Sequence, residues 1–254
     1  YYSNQEKIEA FNNIKLFKGD SIKLYGNYLN YNGKESIAVI SINVIFEHNK
    51  ETLTSDKITL NLKDNYAYYD SRSQIINLDQ NISSNQGEYN IKSEAYNFTD
   101  SVIFISKDYS IHTNNLKYDI KRLRNYLKGP SEIFIDNKII YCEKGFFDNK
   151  DNLAEFYQNT KISSKEYIIK ADSIFYNNKT KHSIAKNNIE LRDSINNLIV
   201  NGGLAEYYQK DDKLIINDQP LLKLYSAGDT LFMSSTKFIY NLNHEIRYLS
   251  SYNN

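Results

Sequence analysis

The chain has 254 residues, and its 31 Lys plus Arg are matched by 31 Asp plus Glu. That neutrality removes the sequence-independent attraction to nucleic acid that a basic domain carries. Apolar residues make up 41%, with 23 Tyr, 12 Phe, 9 Gly and 2 Pro, which excludes collagen-like and disordered classes and leaves no apolar run of about 18 for a spanning helix.

The opening Tyr1-Tyr2-Ser3-Asn4 has neither a basic start nor an apolar run, so any targeting segment is expected to have been removed. The next stretch, Ala10-Phe11-Asn12-Asn13-Ile14-Lys15-Leu16, matches Ala185-Lys186-Asn187-Asn188-Ile189-Glu190-Leu191 far downstream. From there a repeat covers the chain. Its anchors are the small residues Gly26, Ser55, Ser84, Thr113, Cys142, Ala171, Gly202 and Ser235, at five intervals of 29 and then 31 and 33. Two positions before each anchor stands an apolar residue: Leu24, Leu53, Ile82, Ile111, Ile140, Ile169, Val200 and Met233. Five positions after it come Tyr31, Leu60, Tyr89, Tyr118, Phe147, Tyr176, Tyr207 and Tyr240. The next position is Asn or Asp (Asn32, Asn61, Asn90, Asp119, Asp148, Asn177, Asn241), with Tyr208 the exception. A period of this length means stacked units, none of which buries its apolar face alone.

Each unit reads as two strands. In Tyr167-Ile168-Ile169-Lys170-Ala171 and Ile174-Phe175-Tyr176 the apolar alternation holds on both sides but changes parity across Asp172 and Ser173. Side chains alternate strictly along a regular strand, so this slip predicts a bulge or corner. Polar residues recur there: Asn27, Asp56, Asn85, Asn114, Glu143 and Asp172. A turn rich in Asn and Asp follows, then a looser second strand such as Ser101-Val102-Ile103-Phe104-Ile105. Eight units predict about 16 antiparallel strands and a stack on the order of 75 Å long. A first strand is missing before Ala10, and Ile246-Arg247-Tyr248-Leu249 begins a second strand close to the end. The expectation is a single repeat domain over 1–254, truncated at both ends.

These columns resemble the OstA-like family, whose members include the periplasmic lipopolysaccharide-transport bridge protein and the periplasmic domain of the outer-membrane lipopolysaccharide translocon. The segment that carries the likeness best is Ile169-Lys170-Ala171-Asp172-Ser173-Ile174-Phe175-Tyr176-Asn177 followed by Asn187-Asn188-Ile189-Glu190-Leu191, and the likeness extends over about residues 8 to 249. The Asn, Ile and Lys bias points to an AT-rich genome and a Bacteroidetes-type member. The resemblance implies an all-β, elongated, open V-shaped antiparallel β-jellyroll in the periplasm. It further implies that lipopolysaccharide or lipid A slides by its acyl chains along an apolar interior, and that protomers join other transport proteins edge to edge.

On that reading the groove is lined by Leu24, Leu53, Ile82, Ile111, Ile140, Ile169, Val200, Met233, Tyr89, Tyr118, Phe147 and Tyr176. A second column, Lys34, Lys63, Lys92, Lys121, Lys150, Lys179 and Lys210, falls eight positions after the anchors, broken by Asn243. It is either a solvated face that keeps the sheet from sticking to itself or a rail for phosphates and acidic sugars. No catalytic group, cofactor or metal is expected. His48, His112, His182 and His244 fall at four different repeat offsets, whereas a metal site needs convergent ligands. Glu143 and Asp172 share a column and read as corner residues rather than a carboxylate pair, Gly202-Gly203 has no following helix, and Cys142 reads as a small inward residue. Two rivals remain: a β-helix protein or enzyme that meets polysaccharide with outward aromatics, and a structural spacer. Both end strands, near 10–17 and 230–249, lack prolines and dense charge, so head-to-tail self-association is expected.

Overall fold

The computed structural model describes residues 6–19, 22–48, 50–77, 80–226, 228–241 and 249–252. Tyr1 to Asn4, Asn243, His244 and the segment Ile246 to Tyr248 therefore lie outside the described residues. The chain divides into two compact units, Tyr1–Asn125 and Tyr126–Asn254. The first contains β1 (Lys7–Lys18), β2 (Ile22–Asn32), β3 (Ile37–His48), β4 (Glu51–Asn61), β5 (Tyr66–Tyr69), β6 (Ser73–Ile76), β7 (Gln80–Ser84), β8 (Gln86–Asn90), β9 (Ala95–Ser106) and β10 (Ser110–Asp119). A short strand, β11 (Arg124–Leu127), holds the dividing point. The second contains β12 (Ser131–Ile135), β13 (Lys138–Cys142), β14 (Lys144–Asp148), β15 (Leu153–Ser163), β16 (Tyr167–Asn177), β17 (His182–Asp193), β18 (Leu198–Tyr208), β19 (Lys213–Asn217), β20 (Leu221–Ser226), β21 (Asp229–Ser234), β22 (Lys237–Asn241) and β23 (Leu249–Tyr252).

The protein is all-β and antiparallel, as the alternation requires. The strand number differs from the expected 16: there are 23 among the described residues. The reason lies at the corners. In six cases (β5/β6, β7/β8, β11/β12, β13/β14, β19/β20 and β21/β22) one expected strand is cut where it bends. In the others the bend survives as a register shift, as between Lys170 and Ser173 in β16 and between Tyr25 and Tyr28 in β2.

The corners have a chemical cause. Second strands turn through two consecutive residues with φ near +50 to +70°: Asn12 and Asn13, Ile42 and Asn43, Asp100 and Ser101, Gln158 and Asn159, Asn187 and Asn188. Short polar side chains tolerate that region best. The polar corner residue of a neighbouring first strand then clamps the bend. Asn27 accepts from the Asn13 amide at 3.3 Å, and Asn114 from the Ser101 amide at 3.2 Å. Asn85 donates to Asp100, Asn159 donates to Glu143 at 2.6 Å, and Asn188 donates to both oxygens of Asp172. Glu143 and Asp172 are thus separate corner clamps. The anchors are small because an inward second-strand side chain folds over them: a Cβ on Gly26 would collide with Ile40, and one on Gly202 with Ile216. Cys142, in this column, is fully buried, and burial pushes its thiol up to about 12, so it is protonated and unreactive.

The Asn/Asp column has an equally local cause. Its side-chain oxygens accept backbone N–H groups of the following turn: Asn61 from Asp64, Asn90 from Ser93, Asp119 from Arg122 and Asp148 from Asp151, all at 2.8–3.0 Å. Each turn closes on a residue with positive φ, among them Ser36, Asn65, Glu94, Asn152 and Lys181. The carbonyls of those five accept from Leu62, Ile91, Ile120, Asn178 and Gln209, so successive turns stack in register within each unit.

Candidate functional site

The corners divide every unit into two half-sheets, and each half-sheet carries one continuous inward row. In the first unit the ladder aligns Leu16, Leu24, Phe46, Leu53, Ile75, Ile82, Phe104 and Ile111 side by side. On the other half-sheet the row is Ile8, Tyr31, Ala38, Leu60, Ala67, Tyr89, Tyr96 and Tyr118. The second unit repeats this with Ile133, Ile140, Ile162, Ile169, Leu191, Val200, Leu222 and Met233. Its companion row is Phe147, Ala154, Tyr176, Ser183, Tyr207, Leu214 and Tyr240. The two sequence columns are therefore the first-strand members of two longer stripes.

The stripes face each other. Phe46 meets Tyr89 edge to face across the interior, with ring centroids 5.9 Å apart, and Tyr89 stacks on Tyr96 at 4.3 Å. Leu24, Leu53, Ile82, Ile111, Val200, Tyr89 and Tyr118 are at most 3% exposed, and Ile169 and Phe147 are also buried. Each fully buried Leu, Ile or Phe contributes about 1.5–3 kcal/mol, so these rows are the main source of stability as well as the candidate lining. Three candidates depart from the pattern. Ile140 is half-buried. Tyr176 is half-buried, its hydroxyl donating to Asn178 at 3.0 Å. Met233 is 37% exposed, because β21 is paired only with β20 among the described residues and nothing covers the end of its row.

Polar groups interrupt the interior where the half-sheets meet opposite the corners. His48 closes β3 and Glu51 opens β4, and both are 7% exposed. The Tyr89 hydroxyl lies 2.5 Å from His48 Nδ1. Burial holds the imidazole below its usual range, against the pull of Glu94. The Glu51 carboxyl reaches the side chains of Asn77 and Tyr96, yet its Oε2 is buried without a partner. Burial pushes this carboxyl up to about 7. In the second unit the Tyr240 hydroxyl donates to Asp193, which is 1% exposed and also accepts from the Asn196 side chain at 2.9 Å. Composition and column counts did not single out these groups. The one available signal was a polar residue 22 positions after an anchor, His48 after Gly26 and Asp193 after Ala171.

Lys34, Lys63, Lys92, Lys121, Lys150, Lys179 and Lys210 all sit exposed in the stacked turns. Lys121 bonds the Lys92 carbonyl at 3.3 Å and pairs with Glu94 at 3.5 Å. Glu35, Asp64, Asp151, Asp211 and Asp212 share these turns, so the edge carries both signs of charge. His112 is exposed, and His182 lies 3.6 Å from Glu206 and stacks on Tyr208. Among the described residues no three His, Cys, Asp or Glu side chains converge as a metal site would require. Among the described residues no helix is long and apolar enough to cross a membrane.

Comparison with known proteins gives one family match: the family described as OstA-like protein matches residues 1–114. A search of curated proteins found no match. Among solved structures, the chain is similar to LptH of Pseudomonas aeruginosa, described as the LptA-homologous periplasmic component of the lipopolysaccharide transport device. The identity is 14% over 54% of this chain and 82% of that one, with a TM-score of 0.26. A score of that size does not establish a shared fold, and the architecture rests on the ladders described above.

Proposed function

We propose that the protein is a periplasmic lipid-transport bridge for lipopolysaccharide, since residues 1–114 match the OstA-like family and the same columns run on to Tyr240. Acyl chains of lipid A lie between the half-sheets along the two inward stripes, and the β-jellyroll opens as a V to admit them. The observation that carries this reading is the pair of long, predominantly apolar rows that each unit directs inward, with Phe46 meeting Tyr89 between the rows of the first unit. A compact core needs apolar residues inside; it does not need them in two continuous parallel stripes. The function requires no chemistry and no cofactor.

The inward aromatics weigh against the polysaccharide-binding alternative, which calls for rings directed at solvent. Tyr89, Tyr118 and Tyr240 are each buried to within 3%. The lysine turns would meet acidic headgroups from outside, with the interleaved acids reducing the net attraction. Partner proteins and further copies would add at the end strands. Phe11 and Phe17 are exposed on β1, and Leu231, Phe232 and Met233 on β21, so a neighbouring strand would gain apolar contact as well as ladder hydrogen bonds.

The test is extraction of lipid from the protein purified out of a lipopolysaccharide-producing cell, followed by mass spectrometry. Acylated glucosamine lipid in a fixed molar ratio supports the proposal. Lipid-free protein that also fails to bind added lipid A would leave the spacer reading in its place.

A further inference from the structure

The two polar contacts across the interior occupy the same place in the repeat. His48 is 22 residues after its anchor Gly26, and Tyr89 is five after Ser84, two repeats on. Asp193 is 22 after Ala171, and Tyr240 is five after Ser235, again two repeats on. Each pair joins the end of a second strand on one half-sheet to the end of a first strand on the other, at the margin opposite the corners. One pair lies wholly in the first unit and the other wholly in the second. A stability role alone does not call for polar groups there, because an apolar pair of similar shape would do as well without the cost of dehydrating an imidazole or a carboxylate.

We infer that the pairs His48–Tyr89 and Asp193–Tyr240 are latches that close the half-sheets over the interior when it is empty and release to admit an acyl chain. The physical logic is bistability. Apolar lips pried apart would expose surface to water at about 25 cal/mol per Å² with nothing in return. Hydroxyl, imidazole and carboxylate groups are hydrogen-bonded to one another when closed and to water or to headgroup hydroxyls when open, so the two states differ little in free energy. Glu51 lies beside the first latch, close enough to act on Tyr89, and its Oε2 has no hydrogen-bond partner in the closed arrangement. The inference rests on the lipid reading for the purpose of opening, but the latch itself is a statement about the empty protein.

The experiment keeps the two apart. In the full chain with Cys142→Ala, spin labels at Lys50→Cys and Ser93→Cys flank the first latch, and labels at Ile195→Cys and Lys210→Cys flank the second; all four native side chains are exposed. Pulsed dipolar spectroscopy reads the separations without lipid. Tyr89→Phe and His48→Ala should raise the population at longer separation about five- to tenfold, the effect of one lost hydrogen bond. His48→Gln, which keeps an acceptor, should behave as the parent, and Tyr240→Phe should move only the second pair. Unchanged distributions in Tyr89→Phe and His48→Ala, whether or not melting temperature falls, overturn the latch. Adding a dodecanoyl-chain lipid to the parent then tests the other reading. Separations that respond to the tyrosine substitutions but never to lipid leave the latch standing and remove the acyl-chain interior.

Discussion

Replacing Glu51 by Gln should stabilise the protein in a strongly pH-dependent way. Glu51 is 7% exposed at the start of β4, with Oε2 unpartnered, and burial raises its carboxyl from 4.5 to about 7. Between those values the folded chain holds a proton that the unfolded chain has lost. Stability therefore falls as pH rises through that window, and the full cost persists above it. At about 1.36 kcal/mol per pH unit, the interval amounts to about 3 kcal/mol as an upper figure. Glutamine keeps the shape and the reach to Asn77 and Tyr96 but has no charge to bury. His48 works in the opposite direction: its pKa is held below 6.5, so its contribution is lost as pH falls below that value. It is present in both proteins and cancels in the comparison. Urea unfolding at about pH 3.5, 6 and 8 should give near-equal stabilities at the acid end and an advantage to Glu51→Gln of up to about 3 kcal/mol at the alkaline end. An advantage independent of pH, or one that grows toward acid, refutes the reasoning.

Other expected outcomes follow from single positions. Ile111→Asp places an unpaired carboxylate at a site with no exposure and should cost about 3–5 kcal/mol in denaturant unfolding, whereas Met233→Asp at the open row end should cost under about 1. Ile42 is a β-branched residue at φ +68° and 57% exposed; Ile42→Asn, matching Asn12 and Asn187 in the same corner, should raise stability by about 1 kcal/mol. Asn90→Ala removes the acceptor for the Ser93 amide and should cost about 1 kcal/mol, while Lys92→Ala in the same turn stays within about 0.5. Leu231→Lys with Phe232→Lys should lower any self-association seen by sedimentation velocity, since charge on an edge strand opposes pairing. Equal sedimentation of parent and variant at every concentration would remove this edge as a joint.

The repeat was legible because its causes are local. The Asn/Asp column caps its own turn, the small anchor yields to one side chain, and the change of parity at Asp172 marks a real register shift. What the columns hid was mostly nonlocal. His48 and Tyr89 are 41 residues apart and Asp193 and Tyr240 are 47 apart, and no periodic count brings residues two repeats distant across an interior. The inward rows are legible only through their first-strand members, so Phe46, Phe104, Tyr96 and Leu191 are not assigned to the interior by the columns although they are among the most buried side chains. Met233 fits its column by residue type, and its exposure follows from being last in its ladder. The strand number was underestimated because corners such as Asp70-Ser71-Arg72 and Lys128-Gly129-Pro130 break the pairing outright, whereas the paired left-handed residues within β1, β3, β9, β15 and β17 leave those strands continuous, and the repeat columns carry no pattern that separates the two kinds.

The central claim is that acyl chains occupy the space between the half-sheets. The direct measurement is photo-crosslinking with p-benzoylphenylalanine placed at Tyr118, which is inward and 3% exposed, and at Tyr68, which is 43% exposed. Each folded protein is incubated with lipid A and irradiated, and the adduct is read by mass spectrometry. The account predicts an acyl-chain adduct from position 118 and none above background from position 68. Crosslinking at 68 with none at 118 would place the lipid outside the half-sheets and contradict it.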